Sequence, residues 1–138
     1  MNPNIRVPFL WLTISVCYIM HGSYNLSALF FGVDIKLPDA KGVVPAGTHV
    51  FRILVEILVL VVFLISLYAK SKTFYVFSYV LAILFALLNI VHLAETITTE
   101  IQDYSQLALL SFVVVANILL VMDSQRSWKS LKQKNSSQ

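Results

Sequence analysis

Charge is what this sequence lacks most: Lys, Arg, Asp and Glu make up 12% of its 138 residues, where a soluble domain carries roughly 25%. A chain so poor in charge cannot cover its apolar side chains with a solvated surface. There is one cysteine, Cys17, so no disulfide framework and no CxxC pair can form within the chain. Glycine is also scarce, with four in all, and no glycine-rich phosphate loop occurs. The three histidines, His21, His49 and His92, are spread apart, so no HExxH zinc-protease motif is present.

What is abundant is long apolar runs. Hydrophobic residues reach 58% and mean hydropathy is +0.79. They gather in four blocks, at about 8–31, 50–69, 74–96 and 104–122. About 20 residues at 1.5 Å each cross a hydrocarbon core of about 30 Å, so each block can be a spanning helix. The first block is too long and too aromatic for a signal peptide, and His21–Asn25 makes a poor cleavage site; it reads as a retained helix. The expected fold is therefore all-α: an integral membrane four-helix bundle, up-down-up-down, over residues 1–123. Residues 124–138 read as a basic cytoplasmic tail.

The connections carry topology. Gly32–Thr48 is the longest, with two of the four prolines and three of the four glycines. Lys70-Ser71-Lys72 is so short that the second and third spans are expected to pack as neighbours. Four spans put both ends of the chain on one side, with Arg6, Lys70, Lys72, Arg126, Lys129, Lys132 and Lys134. The other side holds Asp34, Asp39, Glu100 and Asp103, with Lys36 and Lys41. The bias of basic residues places both termini in the cytoplasm of a cell inner-membrane protein. It also accounts for the net charge of +3 without any nucleic-acid surface. The expected partners are the lipid bilayer and, through the small-residue stripe Ser78, Ala82 and Ala86, a protein within the membrane.

Against this apolar background a few polar residues stand out. Arg52 and Glu56 lie one helical turn apart in the second span. Ionisable residues inside a span are costly and usually face a partner or a site. Counting from the outer ends at 1.5 Å per residue puts His21 about 15 Å deep, Glu56 about 12 Å, Asn89 and Ser111 about 10 Å, and Arg52 and His92 about 6 Å. The inner halves of spans two to four are nearly pure Leu, Val, Ile and Phe. An outer-half polar layer follows, with Glu56, His92 and His21 as proton or ligand groups and Arg52, Asn89 and Ser111 as binding groups. Each has a plainer reading as well: Arg52 and Glu56 as an i,i+4 pair, Asn89 as helix–helix glue, His21 as a structural histidine. No spacing calls for a metal. A quinone, whose carbonyl takes a hydrogen bond between apolar walls, asks least of these residues. Haem on His21 and His92 is a second candidate.

The second-span run FRILVEILVLVVFLI, with Arg52 and Glu56, resembles the DoxX-like group of small four-helix bacterial membrane proteins. His92 in NIVHLAE late in the third span, the overall length and the long first loop match that group too. The sequence departs from it where Ile57–Leu60 lacks a glycine and where Asn25-Leu26 replaces a basic residue. The resemblance implies a role in membrane redox, as a quinone-linked subunit or enzyme. A non-catalytic subunit of a larger complex and an oligomeric pore, transporter or toxin-like effector stand beside it; the apolar inner halves argue against a pore.

Overall fold

Apolar runs of this length leave the backbone one economical solution in lipid, the helix, in which every interior N–H and C=O is paired within its own segment. The computed structural model follows that rule. It describes residues 3–36, 40, 42–99 and 101–136, and among these every regular element is helical. Asp39, Lys41 and Glu100, which enter the charge balance above, lie outside the described residues.

Helix α1 spans Pro3–Ser27 and runs into a 3-10 turn, Ala28–Phe31. Pro8 lies inside α1, near enough its start that one ladder bond is lost. Gly32 closes the turn at φ +75, donating its N–H to Leu29, a conformation only glycine adopts freely. The second span is three pieces in one rod: α2 Ala46–Arg52, a π-helical turn Ile53–Ile57, and α3 Leu58–Tyr68. Helix α4 is Lys72–Thr99 and α5 is Tyr104–Ser136. Four rods are long and apolar enough to cross a membrane, so the chain reads as a multi-pass membrane protein.

Two expectations are corrected here. The second span does not lie along α4: it packs along α1, while α4 lies on α5 and α5 on α1. The Ala69–Ser71 turn holds only the two helix ends together, and side-chain fit decides the rest. The segment expected as a basic cytoplasmic tail is, as far as Ser136, the continuation of α5. Its first turns are packed, with Ser124 and Ser127 buried and Trp128 stacked beside Tyr79 at 6.1 Å.

The junction of α1, α4 and α5 explains both. Val7, Trp11 and Ile14 recur at helical spacing on α1 and are fully buried. Trp11 meets Phe85 edge to face at 6.0 Å and donates its Nε1–H to Ser78 Oγ at 3.0 Å. Ser78 in turn shares a 3.1 Å hydrogen bond with Ser124. Ser78 and Ala82 are wholly buried, so these members of the small-residue stripe serve packing inside the chain rather than an external partner. At the same end Arg6 Nε lies 3.0 Å from Asp123 Oδ2, although its N–H is not aimed at that oxygen, and Arg126 is 3.7 Å from Oδ1. Asp123, the last residue assigned to the bundle, is buried.

Filling the space at Ser78 with leucine overpacks this junction, and Ser78→Leu is expected to lose about 2 kcal/mol, with a smaller loss for Ala86→Leu. Removing Arg6 strands a buried carboxylate: Arg6→Met is expected to cost about 2 kcal/mol, less than for a fully buried pair, and Arg6→Met with Asp123→Leu to recover most of it. Unfolding in mild detergent followed by circular dichroism measures both.

Candidate functional site

The polar residues of α1 and α4 meet in rungs. Tyr18 and His21 sit three apart on α1, as Asn89 and His92 do on α4, so each pair shares a helix face. Asn89 is buried and donates through Nδ2 to Tyr18 Oη at 2.8 Å and to the Phe85 carbonyl at 2.9 Å. One turn on, His21 and His92 meet with Nε2 atoms 3.4 Å apart and rings edge to face, centroids 5.1 Å apart.

A third helix enters through a residue that the sequence reading passed over. Gln106 is 1% exposed and lies in the first turn of α5. Its Oε1 sits 2.6 Å from His21 Nδ1, and its Nε2 donates to Asn25 Oδ1 at 2.7 Å and to the His21 carbonyl at 3.3 Å. These contacts fix the chemistry of the pair. With both amide hydrogens given to oxygen acceptors, Oε1 can only accept, so His21 Nδ1 carries a proton. In the neutral ring His21 Nε2 is then bare and accepts the Nε2–H of His92. His92 Nδ1 faces Glu95 Oε2 at 3.8 Å, so a second proton on His92 has a carboxylate beside it.

Asp103 anchors the α5 end. Its Oδ1 accepts from Ser105 Oγ at 2.6 Å and from the Gln106 N–H at 3.0 Å, and its carbonyl begins the helix ladder at Leu107. This is an N-cap, and the carboxylate also suits the positive end of the helix. The spacing is that of a capping box, but the Gln106 side chain turns to His21 and Asn25 instead of returning to the cap. The Ser105 hydroxyl first, then the Gln106 N–H, holds the Asp103 carboxyl below its usual value.

Beside the network lies an open cleft of about 1080 Å³, with Tyr24, Asn25, Thr99 and Asp103 in its lining. Asn25 and Asp103 connect it to the histidines. The depths counted from sequence change accordingly. His21 meets Gln106, only about 3 Å along α5, because α1 and its 3-10 turn run on past the start of that helix. The polar site is at the mouth of the bundle.

The remaining predicted residues do not join it. Arg52 and Glu56 are turned outward, and among the described residues neither has an ion pair, with the other or with a histidine. Ser111 also faces outward. The third histidine, His49, lies in α2. The sequence signal for Gln106 was present: an amide in the first turn of an apolar helix, three residues after an aspartate.

Among the described residues no three His, Cys, Asp or Glu side chains gather as a metal site. Haem would need the two rings parted by its macrocycle, whereas they touch edge to face. No protein-family model, curated protein or solved structure matches the chain, so the chemistry rests on this geometry.

Asp103→Ala is expected to lower stability by about 1 kcal/mol at neutral pH through loss of the cap. A carboxyl held low stabilises above its unfolded pKa and loses that effect as pH falls through the folded one. The melting-temperature gap between wild type and Asp103→Ala should therefore close below about pH 4, as read by thermal melts from pH 3 to 7.

Proposed function

We propose that this chain is a small multi-pass protein of the cell inner membrane that exchanges protons with a quinone at the outer mouth of its bundle, as a subunit or enzyme of membrane redox. The reading takes the helices as up-down-up-down with both termini cytoplasmic. Basic residues support that orientation: Arg6, Lys70, Lys72 and the α5 extension carry them at the end opposite His21. The rungs support it too, since Trp11–Ser78, Tyr18–Asn89 and His21–His92 advance together along α1 and α4.

The observation that carries the reading is the His21–His92 contact, with Gln106 behind one ring and Glu95 beside the other. A proton-exchanging group must hold its proton in a defined place and have somewhere to send it. Here the pair has both, and the adjoining cleft is of the size that small-molecule sites take. A bound quinone supplies two-electron, two-proton chemistry, with electrons from a redox partner. The chain's own part is a hydrogen bond to the headgroup carbonyl and a proton on His92 beside Glu95. The DoxX-like resemblance points the same way.

A second reading, a non-catalytic subunit of a larger membrane complex, draws on a different observation. The second span is the least covered, with 17% of its apolar window buried against 33, 33 and 39% in the others.

Titration of a short-chain quinone into protein in lipid nanodiscs separates the two. The proton-site reading expects binding that weakens about tenfold or more in His21→Ala and His92→Ala, and modestly in Gln106→Leu, which loosens one ring. Glu56→Gln should bind as wild type, because Glu56 is not at the site. If wild type takes up no quinone, or both histidine variants match it, the redox reading fails.

A further inference from the structure

The second span presents a face that the chain leaves open, and that face carries two opposite charges. The span meets α1 through Val59, Val62 and Ser66, which are buried. Arg52 falls seven residues before Val59, so in an uninterrupted α-helix it would lie on that same inward stripe. The π turn Ile53–Ile57 prevents this. A π turn inserts one residue into the ladder, which rotates everything before it by about 100°. Arg52 is thereby turned out of the α1 contact, and it is exposed, as is Glu56 within the turn itself. Around them Ile53, Ile57 and Leu64 are also exposed. Among the described residues neither charge has an ion-pair partner.

We propose that this face pairs with the same face of a second copy of the chain, Arg52 of each copy bridging to Glu56 of the other. The argument is charge complementarity. One surface that holds both a cation and an anion, four residues apart, can supply each charge with its counter-charge on a second copy across a two-fold axis, the usual symmetry of a homodimer, through contacts that run diagonally because like residues stand at equal depth. With the axis along the membrane normal the two second spans run parallel. Arg52 then reaches about 6 Å along the partner helix to Glu56, much as e and g residues pair across parallel coiled coils. The same contact covers both charges and the apolar side chains between them. A lipid occupant would leave Glu56 without a donor. A single helix from another protein would have to bring both charges in the matching order. The dimer face is separate from the histidine site, so this inference stands or falls independently of the quinone reading.

Charge reversal tests it in the full chain. Arg52→Glu alone and Glu56→Arg alone each give a face of one sign, and each should weaken self-association about tenfold or more. Expressed together with different tags, the two variants should pair with each other, because one face is then wholly acidic and the other wholly basic. Association is read by single-molecule photobleaching in liposomes, and circular dichroism reports the fold. A cysteine cross-link serves if a reversal variant does not fold. In a Cys17→Ser background, Leu64→Cys on the second span should give a disulfide dimer, and Val91→Cys on α4 should not. A wild-type monomer in liposomes, co-expressed variants that do not pair, or cross-linking from Val91→Cys alone each overturns the proposal.

Discussion

Helices in a bilayer gain little by hiding apolar side chains from each other, since lipid tails are as apolar as leucine. What holds this bundle together is therefore close packing and the hydrogen bonds that cross from α1. Trp11 to Ser78, Tyr18 to Asn89, and His21 to His92 and Gln106 tie α1 to α4 and α5 along most of its length. Each polar group would cost free energy if left unpaired in hydrocarbon, so each rung fixes register as well as proximity. A slip of one residue between α1 and α4 would break all three at once. The polar site is the last rung of the same ladder, placed where the bundle opens.

The second span obeys a different constraint. Among the described residues it has no comparable rung to α1, and its inward stripe is aliphatic apart from Ser66, whose hydroxyl bonds back to Phe63. An aliphatic stripe specifies a face weakly, so a span of this kind depends on something more to fix its rotation. The π turn supplies a local reason for the direction of Arg52. A charge at the centre of a lipid-facing helix costs on the order of 3 kcal/mol on insertion scales, reduced near the interface, where Arg52 can reach headgroups. Glu56 is one turn deeper and has a short side chain, so the greater part of that cost falls on it.

Much of the fold was legible because helix length and lipid thickness are tied by simple geometry. The four spans follow from counting residues along rods, whereas the contact of His21 with His92 does not, since counting set them about 9 Å apart in depth. Counting fails at helix ends. Residues on past Ser27 keep α1 rising as a 3-10 turn, and the apolar count stops at Met122 although α5 continues to Ser136. It fails again for Glu56, because a π turn has no sequence signature and charge alone does not say which way a side chain points. Gln106 was overlooked for a related reason. At the first turn of a helix an amide looks like a solvated cap residue, and only the overrun of α1 brings Asn25 and His21 to it.

The order of these contacts also explains how the polar site is held. Gln106 is held from two directions: its backbone N–H by Asp103, and its side chain by Asn25 and the His21 carbonyl. A fixed amide fixes the proton on His21 Nδ1. A fixed tautomer leaves His21 Nε2 as the acceptor toward His92, whose side chain is 43% exposed. Glu95, at 68% exposed, stands between that ring and water. In the proposed proton exchange, His92 and Glu95 would be the members in reach of water, with His21 held in place by Gln106. Burial grades along the chain of contacts: Gln106 is buried, both histidines are partly buried and Glu95 is exposed, so the network runs from the interior to the rim.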